Sequence, residues 1–308
     1  MIVLTSRTEA GGREAVRAVS KHLVGKEGVD ASDVYSLALD LDDLSDVKRF
    51  AGAYESLGLG DVSALINNAG VMAVPSRELT VDGCERTFQS NHLGHFVLTA
   101  ELFPFLSRDG ARVINVSSSA SNLAAPGLEI DNLNGEKSYG AWSSYGASKL
   151  ANILFTRELQ RRANTEGLDW LTAVSLHPGV VNTDLWRYIV GEERLKEVKS
   201  KDALSIESLA LSATSLLTKT PEQGASTQVY LAADDDLVKG AFYEEMKEKT
   251  YLPKFAKEED KAKTLWEVSE TLGAVKFNLG GAVESSDVAD VPEEPSLDED
   301  EANTDPFD

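Results

Sequence analysis

Short apolar runs alternate with amphipathic stretches along this chain, and that alternation constrains its fold more than any other feature. Residues 1–7, 36–41, 62–67, 113–116, 171–175 and 240–243 read as strands. Between them, stretches of helical periodicity read as helices. The first is 11–23, with Ala15, Val19 and Leu23 on one face. Then come 44–57, 143–163, 222–232 and 260–272, the last around Leu265, Trp266 and Val268. A long helix is expected over 82–106, capped by Asp82 with Glu85 three residues on. Strands alternating with helices imply right-handed crossovers. The expected architecture is α/β: a doubly wound parallel sheet with helices on both faces.

Composition narrows the function. At 308 residues, 42% hydrophobic and 26% charged, the chain suits one globular domain with a sizeable core. No internal repeat or second domain is visible. The net charge of −21 argues against nucleic acid and anionic membrane as partners. Much of that charge is local, since residues 284–308 carry acids and no Lys or Arg. Residues 280–308 are acidic, Pro-dotted and poor in large apolar side chains, so a disordered tail is expected after a domain spanning 1–279. A single cysteine, Cys84, excludes an intrachain disulfide. His92 and His95 stand three apart with no third ligand nearby, so no metal site is expected. No apolar run approaches membrane-spanning length and no signal pattern opens the chain. The default reading is soluble and cytoplasmic, with any leader upstream of Met1 lying outside this sequence.

Chemistry concentrates at Tyr145-Gly-Ala-Ser-Lys149. On a helix, residues four apart share a face, so the phenol and the ammonium can point at one volume. A cation there would stabilise phenolate, lower the tyrosine pKa and make the phenol a usable general acid/base. The spacing alone is weak, because Tyr243 and Lys247 repeat it with nothing around them. Tyr145 has company. Leu65-Ile-Asn-Asn-Ala-Gly70 and Arg112-Val-Ile-Asn-Val-Ser-Ser-Ser119 lie upstream, and His177-Pro-Gly179 lies downstream.

These motifs, in this order, resemble the short-chain dehydrogenase/reductase family, over roughly residues 1–279. Asn134-Gly-Glu-Lys137, Ser148-Lys-Leu-Ala-Asn-Ile-Leu154 and Leu265-Trp-Glu-Val-Ser269 look most like its retinol dehydrogenase-like and protochlorophyllide reductase-like group. The resemblance implies a Rossmann-type fold and an oxidoreductase interconverting carbonyl and alcohol on a small, lipophilic substrate. Ser118 would polarise the carbonyl, with Ser117 and Ser119 as one-residue alternatives, and Tyr145 would protonate it. Lys149 would bind the nicotinamide ribose and hold the tyrosine pKa down. Asn91 would complete a proton relay by kinking its helix and holding a water, although it also reads as an ordinary buried asparagine.

The resemblance extends to a nucleotide. Asn67, Ala69 and Gly70 would lie beside the adenosine ribose, with Asn67 equally readable as a brace in the sheet. Asp40 and Leu41 fall where the adenine amino group finds its acceptor. Pro178, Gly179 and Thr183 match the loop that holds the nicotinamide carboxamide. At the strand end where NAD-selective members carry a carboxylate, this chain has Ser6 followed by Arg7. A guanidinium pairs with a 2′-phosphate that a carboxylate would repel, so NADP(H) is the expected cofactor. Trp186, Tyr188, Ile189 and Val190 are compatible with an apolar pocket or with core. Members often dimerise through helices corresponding to 82–106 and 143–163, which makes a homodimer a further expectation.

One departure is large. The family opens with a strand and a glycine-rich turn that cradles the pyrophosphate, and nothing before Ile2 supplies them. Gly11-Gly12 follows Arg7 and starts the next helix. The chain therefore reads as N-terminally truncated, beginning at the family's second strand. A gap or a re-paired sheet is expected beside residues 2–6, with weak nucleotide binding. This leaves two alternatives open: a non-catalytic relative serving as a binding or regulatory subunit, or an inactive fragment of a longer enzyme.

Overall fold

The computed structural model describes residues 1–23, 31–124, 126–181, 219–250, 252 and 254–280. Thr183, the aromatic and apolar residues 186–190 and the acidic tail from 281 onward lie outside the described residues. The first strand, β1 (Ile2–Ser6), is followed by α1 (Glu9–Leu23). Then come β2 (Val34–Ala38), α2 (Leu44–Glu55) and β3 (Ala64–Asn67). In α2 the side chain of Asp43 caps the amides of Ser45 and Asp46. Leu44, Val47, Phe50, Ala51 and Tyr54 are buried along the helix.

The long helix predicted over 82–106 begins later, and its cap is a different acid. It runs as α3 (Arg86–Phe88), a π-helical turn (Gln89–Leu93) and α4 (Gly94–Leu102). Glu85 is the N-cap, accepting from the amides of Thr87 and Phe88 at 2.9 and 2.8 Å. Asp82 sits in the preceding turn. There its carboxylate accepts from the amide of Leu44 at 2.9 Å and from Gln89 at 2.7 Å. A bond to a residue 38 positions away outweighs the local capping pattern. Pro104 lies in the 3₁₀ turn that follows α4.

The chain continues through β4 (Ala111–Val116), α5 (Ala141–Thr165) and β5 (Leu171–His177). Next is α6 (Pro221–Ala233), opened by a capping box between Thr220 and Gln223. A hairpin, β6 (Phe242–Glu244) and β7 (Lys247–Glu248), turns on Glu245 and Met246, both with positive φ. It precedes α7 (Glu259–Gly273). Tyr243 and Lys247 thus belong to the hairpin, and their four-residue spacing has no helical meaning.

The strands form two sheets. One has the order β1-β2 and the other β3-β4-β5-β6-β7; every pairing is parallel except β6 with β7. The expected interruption beside residues 2–6 is present as a gap, not as a re-pairing. Among the described residues, β1 bonds only to β2 and β3 only to β4.

Helices α4 and α5 are buried far around their circumference. The reason is α7, which packs on both. Trp266 meets Phe96 edge-on at 5.1 Å and stacks on Phe277 at 4.8 Å, while Phe155 closes the cluster.

Candidate active site

Three elements converge at the C-terminal end of β4. The first is the strand end itself. Ser117 is buried and donates to the carbonyl of Lys149 at 2.6 Å. Ser119 points to solvent. Ser118 caps the following 3₁₀ turn, accepting from Ala120 N at 3.1 Å, and its hydroxyl is the one that bears on the Tyr145 phenol, favouring phenolate. The three adjacent serines are thus separated by geometry, and only Ser118 meets the tyrosine.

The second element is the first half of α5. Gly146 lets this helix touch the Ser118 loop: a Cβ there would come within 2.6 Å of the Ala120 carbonyl. Tyr145 is buried against Met72 and Ala73. Lys149, one turn on, is also buried. Its Nζ donates to the Val116 carbonyl at 3.1 Å and lies 5.8 Å from the centre of the Tyr145 ring. Burial pushes the lysine down to about 8 and the phenol above its ordinary value, an effect that the Ser118 hydroxyl partly offsets. The sequence predicts a tyrosine pKa lowered by the cation. Burial reverses that direction, since it disfavours both charged forms.

The third element is the π-helical turn, which presents Asn91. Its Oδ1 accepts from Val71 N at 2.7 Å, and its Nδ2 donates to Val71 O and to Ser148 Oγ, both at 2.9 Å. Gly70 is required by this approach, because a Cβ would meet Asn91 Oδ1 at 2.5 Å. Asn91 is thus close to Lys149, as its sequence motif suggests. A single widened turn is a common way for a helix to aim a functional residue.

The remaining predicted residues fall into two groups. Asn67 is a brace: Nδ2 donates to Thr99 Oγ1 at 3.0 Å and to Asn115 Oδ1 at 2.8 Å, tying β3 to α4 and β4. Ala69 continues toward Gly70 on the loop after β3. Pro178 and Gly179 follow β5, and Gly179 has φ +89°, with the stem of Lys219 lying across it. Arg7 and Asp40 sit together on the smaller sheet. The half-exposed guanidinium contacts Asp40 and Asp42, each at 3.5 Å. Leu41 turns inward against Gly94, and its carbonyl accepts from Gln89. Sequence reasoning missed Asn152, which bonds the carbonyls of Asn91 and Val116. Its place three residues after Lys149, on the same helix face, was the available signal.

A model of the family described as short chain dehydrogenase matches residues 2–194. The chain belongs to the short-chain dehydrogenase family. Retinol dehydrogenase 14 of Mus musculus is 37% identical over 278 residues, covering 88% of this chain and 78% of that protein. The Homo sapiens retinol dehydrogenase 14 is 39% identical over 214 residues, covering 68% of this chain and 58% of that protein. An uncharacterised protein from Mycobacterium paratuberculosis superposes with a TM-score of 0.63 at 34% identity, covering 90% and 85% of the two chains. A blue fluorescent protein from a metagenomic library, solved in complex with NADPH, has a TM-score of 0.53 at 25% identity, covering 78% and 84%. A short-chain dehydrogenase is an oxidoreductase, and its Rossmann-type sheet is the frame into which these residues fit. No helix among the described residues is long and apolar enough to cross a membrane.

Proposed function

We propose that this chain is an NADP(H)-dependent oxidoreductase that interconverts a carbonyl and an alcohol on a small lipophilic substrate. The observation that carries this is the grouping of Ser118, buried Tyr145 and buried Lys149, the lysine one helical turn on with Nζ 5.8 Å from the centre of the tyrosine ring. Ser118 Oγ donates to the substrate oxygen and polarises it. Tyr145, whose pKa burial raises, is protonated at neutral pH and gives its proton to that oxygen in reduction. In the reverse direction the same oxygen atom takes the proton back. Lys149 is a short step from both, and its own pKa of about 8 lets it gain or lose a proton near neutrality.

The described residues fit the two ends of a dinucleotide. Lys149 has three donors and a single acceptor assigned, the Val116 carbonyl, which leaves donors for ribose hydroxyls. Pro178 and Gly179 would hold the carboxamide, together with Thr183, which lies outside the described residues. Arg7 would pair with a 2′-phosphate, Asp40 and Leu41 would lie by the adenine, and Asn67, Ala69 and Gly70 would line the ribose. The nicotinamide, when bound, supplies or accepts the hydride. NADPH bound to the metagenomic relative and the retinol dehydrogenases among the curated relatives support this reading. So do Leu123 and Trp142, large apolar side chains left exposed on the elements that carry Ser118 and Tyr145.

A second reading, ligand binding without turnover, draws on one observation. Gly11 and Gly12 lie inside α1, packed against Ser6 and Ser36, and form no phosphate-cradling turn. Turnover of retinal and of long-chain aldehydes with NADPH or NADH, followed by loss of nicotinamide absorbance, separates the two. Oxidation of NADPH by the parent chain and none by Tyr145→Phe is expected. Equal rates in both proteins would overturn the assignment, and binding of nucleotide with no turnover of any substrate would favour the second reading.

A further inference from the structure

We infer that Asn152 is a positioning residue of this site, holding Lys149, the Asn91 turn and the end of β4 in register through one side-chain amide. This rests on the proposed Ser118–Tyr145–Lys149 site and deepens it. The Asn152 Nδ2 has two hydrogens, and two carbonyls take them: Asn91 O at 2.9 Å and Val116 O at 3.1 Å. Val116 O is also the acceptor of Lys149 Nζ at 3.1 Å. Ammonium and amide therefore share one oxygen, two residues before Ser118.

With Nδ2 committed to carbonyls, Oδ1 must face His92 Nδ1, 3.3 Å away. That nitrogen carries the proton and donates, so Nε2 is the acceptor for Ser269 Oγ–H at 3.0 Å. Burial keeps His92 neutral, with its pKa pushed down to about 3, so the arrangement does not change through the physiological range. The chain of bonds runs from Lys149 through Val116 O, Asn152 and His92 to Ser269 on α7. All of its side chains are buried.

A second consequence concerns Asn91. Its carbonyl has two lone pairs, and two side chains already donate to it: Asn152, and His95 Nδ1 at 3.1 Å. The Asn91 side chain is clamped on Val71 and Ser148, and Asn152 holds its backbone in place.

The test compares parent, Asn152→Leu, Asn152→Asp and, as a control, Gln160→Leu. Gln160 lies two turns further along α5, and its Oε1 accepts from the buried amide of Ala173. The control therefore costs buried hydrogen bonds in the same helix, away from the site. NMR of ¹³Cε-labelled lysine follows Lys149, whose titratable neighbours are Tyr145 and His95. The parent should titrate near 8. In Asn152→Asp a carboxylate beside the shared carbonyl should raise that midpoint by about one unit or more. In Asn152→Leu, amide exchange at Val71 and residues 89–93 should quicken about tenfold or more, with β5 unchanged. Gln160→Leu should move neither quantity. Parental exchange in Asn152→Leu, or a parental Lys149 midpoint in folded Asn152→Asp, overturns the inference. If Asn152→Asp does not fold, the exchange result decides alone. Neither readout needs turnover, so a parent chain that reduces no substrate would refute the enzymatic reading while these arms still judge Asn152. On a substrate that the parent reduces, Asn152→Leu should lower kcat about tenfold with KM nearly constant.

Discussion

Lys149→Met should stabilise the protein while removing its chemistry. The ammonium is buried, and its pKa falls from 10.5 to about 8 for that reason alone. Each unit corresponds to about 1.36 kcal/mol, so holding the charged form in the folded chain costs about 3 kcal/mol. The sign follows from proton counts. Below pH 8 folded and unfolded chains both hold the proton, and the whole cost is present. Between 8 and 10.5 the unfolded chain binds more protons, so this group's contribution makes stability rise with pH. Above 10.5 the cost is gone. Methionine is of similar length and carries no charge. It forfeits the bond to Val116 O, about 1 kcal/mol, although that carbonyl keeps Asn152. The net gain at pH 7 is about 2 kcal/mol, and it should vanish or reverse slightly by pH 10.5. Urea titrations of parent and variant at both pH values measure it, and other titrating groups cancel in the difference. A variant less stable than the parent at pH 7, or a difference that ignores pH, would refute the reasoning. Turnover should be lost under all these conditions, the usual conflict between a buried functional charge and stability.

Other expectations are simpler to state. Tyr145→Phe should leave the melting temperature nearly unchanged and lower turnover by roughly 10²–10⁴-fold, read with any substrate the parent reduces. Arg7→Ala should weaken NADPH by about tenfold and spare NADH. The half-exposed guanidinium already shares Asp40 and Asp42, which keeps the effect at about 1.5 kcal/mol; calorimetric titration with both nucleotides checks it, and equal losses would make Arg7 structural. Amides of β1 and β3 that face away from β2 and β4 should exchange about as fast as open loops, while β4 and β5 stay protected.

Strand and helix positions were readable because burial on a parallel sheet demands apolar runs, and those runs are local in sequence. What escaped was set by contacts across the fold. Asp82 and Glu85 both look like caps, and only the distant amide of Leu44 decides between them. Tyr145 and Lys149 were recognisable from their spacing, but the direction of the tyrosine's pKa depends on burial, which spacing does not reveal. How Ser117, Ser118 and Ser119 differ in placement is set by the strand's pleat and the close approach at Gly146, which the sequence does not show. Asn152 was on the visible helix face, but its partners are two backbone carbonyls, and a sequence contains no trace of where carbonyls point. The two-residue strand β7 is shorter than any periodic signal.

The position of the gap matters more than its presence. From β1 the chain steps to β2 on one side, and from β3 it advances through β4 and β5 on the other. In the proposed reading the interruption between the two sheets is where strand order reverses, and in open α/β sheets that is where a ligand lies, across the carboxyl ends of the strands. The residues assigned to the two ends of the nucleotide divide the same way. Arg7 belongs to the two-stranded sheet and Asp40 follows its second strand, whereas Ser118, Tyr145 and Lys149 are held by β4 and α5. The catalytic half has its own scaffold: the Asn152 network, the π-helical turn and the aromatic cluster under α7 all lie on the five-stranded side. Its geometry does not depend on the gap. A nucleotide would have to bridge the two sheets, so its affinity carries the cost of fixing one sheet against the other. Proton transfer at Tyr145 does not. In the proposed reading, weak cofactor binding and an intact Ser118–Tyr145–Lys149 geometry would be compatible, and a rate measured at saturating nucleotide tests the second without being limited by the first.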